Sequence, residues 1–166
     1  MKNISCHVQR FNNVKVFVVF FDDLRAADEK PRGDCIQCGC PTSWYNFNGR
    51  CYKYILTPQK WFGAQVHCAS MGANLVSIHS SHEQTFVTAL ISSFDPSERP
   101  TWIGFNDLFQ EGRWTWSDGS EVNFVFWSTG EPNGGTGQNC VLNWGTNWKW
   151  IDYPCSYSFP FVCTLS

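Results

Sequence analysis

Nine cysteines in a chain of 166 residues limit what this sequence can become more than any other feature. A cytosolic enzyme of this length does not normally carry so many thiols. A small secreted domain uses them as a covalent frame, so an oxidising, extracellular setting is expected. The number is odd, so at least one sulfur is unpaired, bonded to another chain or removed by processing. Spacing alone does not choose among the roughly 105 pairings open to eight cysteines.

The rest of the composition narrows the class. The length suits one domain with one core. Net charge is −2 and the lysines and arginines are scattered, so no basic stripe is present to hold nucleic acid. Apolar runs are short and interrupted, and none could span a bilayer. Aromatic residues make up 17% of the chain and nine of them are tryptophan, material for a dense core or an aromatic contact surface.

Residues 1–27 read as a leader segment that fits a secretory signal poorly. The apolar run VFVVFF at 16–21 is short, and Asp22, Asp23 and Arg25 follow it at once. An ordinary strand fits the same pattern. Removal of this segment would take Cys6 and the sole N-x-S/T site, Asn3-Ile4-Ser5, and leave eight cysteines. Residues 28–39 form a charged linker that carries Cys35 and Cys38, and the whole stretch 22–34 has the composition of a disordered or pro-segment. Arg32-Gly33-Asp34 is a three-letter motif, too short to carry an integrin-binding function.

A compact domain is expected over residues 40–166. CPTSWYNFNGRCY, from Cys40 to Cys51, suits a disulfide-closed hairpin. Thr57 as N-cap and Pro58 at the first helical position predict a helix with Trp61, Ala64, Cys68 and Met71 on one face, ended by Gly72. Leu75, Val76 and Ile78 predict a strand. Ser80 with Glu83 three residues on predicts a capping box opening a second helix, with Phe86, Val87, Leu90 and Ile91 inward. After Pro100 the pattern becomes short aromatic segments separated by turn residues: TWIGFND, RWTWSDG, CVLNWG, NWKWID and FPFVCTL. These read as strands. Helices early and strands late make the class α+β. The long polar stretch STGEPNGGTGQNC at 128–140 belongs to neither pattern, and loops of this kind usually hold something.

The motifs WIGFND, WSDGS, FWSTGEPN, QNC, WID and PFVC occur in order between residues 102 and 163, after the Cys40–Cys51 opening. Together they resemble the C-type lectin family, in the long form found in soluble fish lectins and type II antifreeze proteins. The resemblance implies two helices packed on small antiparallel sheets with a long Gly-rich loop. It implies three disulfides, Cys40–Cys51, Cys68–Cys163 and Cys140–Cys155. Cys35 and Cys38 fall outside this set. With Cys40 so assigned, CIQCGC is short of the four ligands of a zinc site, and Gly39 and Pro41 replace the helix that should follow a redox C-x-x-C. Cys35 and Cys38 are expected to bridge each other or a second chain, as in a disulfide-linked homodimer.

In sugar-binding members of the family a calcium ion on the long loop takes two neighbouring sugar hydroxyls. The matching positions here are Glu131, Asn133, Gln138 and Asp152, and the Glu-Pro-Asn order resembles the mannose type. Gln138 stands where the family has Glu, and Ile151 where it has Asn. One carboxylate and one amide are thereby lost, so calcium is expected to bind weakly or not at all. A second family calcium site is matched only in part: Asp107 and Glu111 fit, while Gly134 and Asn139 replace carboxylates. The implied function is a secreted, calcium-dependent lectin whose partners are glycans with mannose-type vicinal hydroxyls. The alternative is a calcium-independent domain that binds protein or ice. Exposed aromatics in the loop would suit it, although Phe124, Phe126, Trp127, Trp144 and Trp148 are expected mostly in the core. Catalysis has no support: there is no G-x-S-x-G elbow, and the four histidines show no ligand spacing.

Overall fold

The computed structural model describes residues 5–11, 14–20, 39–144 and 146–165. The linker with Cys35 and Cys38, the Asn3 site and the Arg32-Gly33-Asp34 triplet lie outside the described residues, and so does the expectation that these cysteines bridge each other or a second chain.

Strands β1 (Ser5–Phe11) and β2 (Val14–Phe20) form an antiparallel hairpin. The apolar run from 16 to 20 is therefore strand here. Its Phe17 pairs with Asn46 of β3 (Tyr45–Phe47). A two-residue turn joins β3 to β4 (Arg50–Lys60). Its Asn48 and Gly49 have φ of 49° and 82°, the left-handed pair whose twist matches that of a hairpin.

The first helix, α1, spans Trp61–Ser70, and Lys60 stands at its N-cap. The structure corrects the expectation that Thr57 caps this helix: Thr57 and Pro58 still belong to β4. The reason lies about a hundred residues away, in β10 (Ser158–Leu165). Phe159 faces Gln59 and Phe161 faces Ile55, so residues 56–58 lie opposite Pro160 alone. Neither proline has an N–H for the ladder, and a bulge is where a ladder can spare one. The C-terminus of α1 follows expectation. Gly72 has φ of 73°, its N–H donates to Ala69 O, and Ala73 N–H donates to Cys68 O. This is a Schellman closure.

Strand β5 is only Asn74–Leu75, shorter than expected. Val76 leaves the ladder but keeps its backbone bonds, donating to Val162 O and accepting from Gly104 N. Helix α2 (Ser81–Phe94) is capped by Ser80, whose hydroxyl accepts from Glu83 N at 3.2 Å. The return half of the box differs, since Glu83 accepts from His79 N at 2.7 Å rather than from Ser80 N. The remaining strands are β6 (Thr101–Asn106), β7 (Thr115–Trp116), β8 (Cys140–Asn143) and β9 (Trp150–Tyr153).

The small sheets expected from the sequence join into one path, β1-β2-β3-β4-β10-β6-β8-β9, with β5 on β10 and β7 on β6. Most neighbours are antiparallel, but β10 meets β6 in parallel through Phe161 and Trp102. Strand alternation sends side chains to two faces. Ile103, Phe105, Val141, Trp150 and Val162 pack against α2 with Phe86, Val87, Leu90 and Ile91. Trp102, Leu142, Phe161 and Cys163 pack against α1 with Trp61, Ala64 and Cys68. Between them, Gly104 has no room for a side chain: a Cβ there would lie 2.8 Å from Leu75 O. Three disulfides fasten the array: Cys40–Cys51, Cys68–Cys163 and Cys140–Cys155. Among the described residues no helix is long and apolar enough to cross a membrane.

Candidate functional site in the 128–140 loop

Trp150 anchors the loop. Its indole is fully buried among Phe105, Trp116, Phe124 and Trp127, with ring centroids between 5.4 and 6.2 Å. Its Nε1 donates to Gln84 Oε1 at 2.8 Å. Its backbone N–H donates to Phe126 O and its carbonyl accepts from Ser128 N. The chain entering the loop is thereby fixed to the start of β9. Two residues further along β9, on the same face as Trp150, stands Asp152. The Cys140–Cys155 bridge closes the far ends of β8 and β9 beneath it.

The loop folds back over Asp152. The Asp152 carboxylate accepts from Asn133 N at 3.1 Å and from Gly134 N at 2.8 Å. The Glu131–Pro132 peptide is cis. Glu131 lies beside Asp152. Burial first, and then the Asp152 carboxylate, push the Glu131 carboxyl up from 4.5 to about 7, against an opposing hydrogen bond from Asn133. Glu131 Oε2 is buried without a hydrogen-bond partner. Gln138 packs over the neighbouring backbone. Its side chain lies across Gly134, and a Cβ at 134 would come within 2.2 Å of Gln138 Cγ. Gly134 is therefore required by Gln138, so no carboxylate can be carried at 134 in this arrangement.

Thus the loop brings Glu131 and Asn133 to Asp152, 21 positions from Glu131, while Gln138 packs across the neighbouring Gly134. Ile151 is placed otherwise. It packs against the α1-side cluster, on the face opposite Asp152. An Asn at 151 would give up that packing as well as supplying an amide. Strand alternation puts Ile151 and Asp152 on opposite faces, and the packing of β9 decides which face meets the α1-side cluster.

The partly matched second site is resolved differently. Asp107 Oδ1 accepts from Asn139 Nδ2 at 3.0 Å, Asp107 Oδ2 accepts from Gly112 N at 2.8 Å, and Asp107 N donates to Asn139 O at 3.1 Å. Asp107 and Asn139 fasten the base of the loop to the end of β6. Glu111 is exposed and takes no part in these bonds. Among the described residues no group of three or more His, Cys, Asp and Glu side chains is gathered around one point. The aromatics are also divided. Phe124, Phe126, Trp127 and Trp148 pack on the core, whereas Trp144 is 45% exposed, contrary to the core placement expected of it.

A cation fits the first group on chemical grounds. A buried acceptor without a donor, next to a second carboxylate, is an arrangement that positive charge relieves. Oxygen is the only donor type offered, from two carboxylates and two amides, which suits a hard ion such as calcium. The set is leaner in charge than a strong calcium site.

This fold and this loop have counterparts. Residues 57–165 match the Lectin C-type domain family. Ladderlectin of Oncorhynchus mykiss is 42% identical over 73% of this chain, which spans 65% of ladderlectin's length. The galactose-specific lectin nattectin of Thalassophryne nattereri is 37% identical over 75% of this chain and 79% of its own. The herring type II antifreeze protein superposes with a TM-score of 0.71 at 36% identity, covering 76% of this chain and 98% of that protein. On the family match, with the disulfides and the loop that the structure shows, the chain belongs to the C-type lectin domain family.

Proposed function

We propose that this protein is an extracellular carbohydrate-binding lectin that takes mannose-type vicinal hydroxyls through calcium held by Glu131, Asn133, Gln138 and Asp152. The observation that carries this reading is the unpartnered, buried Glu131 Oε2 beside Asp152. Calcium bound there would supply coordination positions for two neighbouring sugar hydroxyls. The chain's own part is complementary: the Glu131 carboxylate would accept a hydrogen bond from one hydroxyl and the Asn133 amide would donate one to it. The Glu-Pro-Asn order supports mannose over the galactose that names nattectin. The three disulfides support an oxidising compartment. Binding without turnover agrees with the lectin relatives.

Gln138→Glu restores a third carboxylate and is expected to tighten calcium by about tenfold, roughly one charge-assisted contact. Glu131→Gln is expected to abolish calcium-dependent retention on a mannose column. Glu131→Gln with Asn133→Asp should move any preference toward galactose, because donor and acceptor exchange places. Isothermal titration with calcium and column retention with and without chelator check these outcomes. Retention in chelator that Glu131→Gln leaves intact would replace this reading with calcium-independent binding of protein or ice. The exposed Phe109, at 87%, and the antifreeze likeness favour that second reading.

A pH dependence follows from Glu131. Its folded pKa is raised, so without calcium the folded state keeps a proton that the unfolded chain releases from 4.5 upward. This group's stabilisation is complete below 4.5 and is lost as pH rises through about 7. Calcium needs the ionised form. The rise in Tm on adding calcium should therefore grow between about pH 5.5 and about pH 8. In Glu131→Gln that growth should vanish. A calcium-induced shift that is flat with pH in the wild-type chain would count against Glu131 as a ligand.

A further inference from the structure

A cleft of 540 Å³ opens between the outer face of α2 and the turn that carries Asn147 and Trp148. A smaller hollow of 280 Å³ adjoins it, sharing Glu98, Asn147 and Trp148 and adding Trp144. The larger volume lies within the roughly 300–1,000 Å³ usual for small-ligand sites. Its lining shares no residue with the Glu131–Asp152 group.

The lining has a distinctive chemistry. Trp144 and Trp148 supply indole surface, and Trp148 is half-buried. Along α2 the cleft meets short hydroxyl side chains, Thr88 and Ser92 among them. Asn147 adds an amide, and among the described residues Glu98 is the one carboxylate and no lysine or arginine lines either hollow. Anionic ligands and nucleic acid are therefore disfavoured. Neutral groups that both donate and accept, set beside aromatic faces, match a neutral polyol with one C–H-rich side.

The backbone around the cleft is held in an uncommon state. Glu98, Asn147 and Trp148 have φ of 50°, 61° and 60°. For a bulky residue such as Trp148 the left-handed region is an outlier that persists only where its surroundings enforce it. Gln84, 4% exposed, does so. Its Nε2 donates to Trp148 O at 3.2 Å and to Asn143 Oδ1 at 2.9 Å, while its Oε1 is taken by Trp150. Beside it, the fully buried Asn143 Nδ2 has no partner. The strain presents Asn147 outward and sets the Trp148 ring in the cleft wall.

We propose that this cleft is a second saccharide site, independent of calcium, which takes a neutral sugar ring against Trp144 and Trp148 with hydroxyls bonded by Glu98 and Asn147. It rests on the lining of the cleft and not on the calcium reading of the 128–140 loop. The test uses the full chain in excess chelator, which silences the loop site. Mannotriose and chitotriose are titrated while tryptophan fluorescence and ligand saturation-transfer NMR are followed. Saturable binding in the millimolar range is expected for at least one of them. Trp144 and Glu98 are exposed, so Trp144→Ala and Glu98→Gln should fold normally. At least one of them should weaken that binding about tenfold, the scale of one aromatic or charge-assisted contact. Absence of saturable binding to both sugars in chelator, or binding that neither variant weakens, would overturn the proposal. Neither result touches calcium-dependent retention, so the two readings fail separately.

Discussion

Replacing Cys68 and Cys163 together by alanine is expected to remove most of the stability of this domain. The bridge joins residues 95 apart, from the last turns of α1 to the central strand β10. A cross-link closing a loop of about 100 residues contributes about 4.7 kcal/mol by restricting the unfolded chain. A domain of this kind has about 5–15 kcal/mol in total. Both sulfurs are fully buried in the α1-side cluster, so the substitution also thins its packing. The same change at Cys140 and Cys155, 15 apart, should cost about 3 kcal/mol. Urea midpoints for the two double variants give the comparison directly. If the Cys68–Cys163 variant loses less than the Cys140–Cys155 variant, the long bridge does not restrain the unfolded chain in the way argued.

The second large effect is expected at Glu83, a buried carboxylate in the first turn of α2. Its Oε1 accepts from Arg50 Nη1 and from the Tyr52 hydroxyl, and its Oε2 from His79 N. Arg50 continues the network to Ser77 O at 3.0 Å and Ser77 Oγ at 2.8 Å. Ser77 in turn donates to Asp118. Burial works to raise the Asp118 carboxyl, but hydrogen bonds from Ser120 and Ser77 outweigh it and hold the group below its usual range. Glu83 thus ties β4 to the start of α2, and Arg50 and Ser77 extend the network to Asp118 in the chain after β7. Burial, and then the bond to Glu83, push the Tyr52 hydroxyl far above the usual tyrosine range. Glu83→Ala leaves a buried Tyr52 hydroxyl and a half-buried guanidinium without their acceptor. Removing one side of such a pair costs about 3–5 kcal/mol. Glu83→Gln keeps one acceptor oxygen and should cost less, about 1–3 kcal/mol. Chemical denaturation of both variants, with Arg50→Ala closing a double-mutant cycle, measures the coupling. A loss below about 1 kcal/mol for Glu83→Ala would show that water replaces the carboxylate and that the network contributes little.

Glu83 also shows how far local signals carry. The sequence by itself determined what neighbours within one turn decide. Ser80 caps α2 because its hydroxyl reaches the N–H three residues on. Gly72 ends α1 because a left-handed residue was needed there. Asn48-Gly49 closes a hairpin because both residues accept positive φ. The aromatic segments after Pro100 became strands, and the ordered motifs carried the family and hence the disulfide pairs.

Tertiary structure decided whatever depends on a distant partner. Thr57 and Pro58 carry good helix-start chemistry, yet they sit in a bulge of β4 whose flanking residues, Ile55 and Gln59, pair with β10, a partner that no local window contains. Glu83 satisfies the capping-box spacing, but Arg50 and Tyr52 share its carboxylate, and its return bond goes to His79. Ile151 stands at a position of the family's sugar site, while the pleat of β9 turns it toward Leu142 and the α1-side cluster. Trp144 looks like core and is exposed because its turn leaves the sheet after Asn143. The loop residues were legible one by one. That Glu131 and Asp152 meet, with one carboxylate oxygen left without a donor, was not legible, because the approach of two like charges is set by the packing of Trp150 beneath them and not by the residues between them.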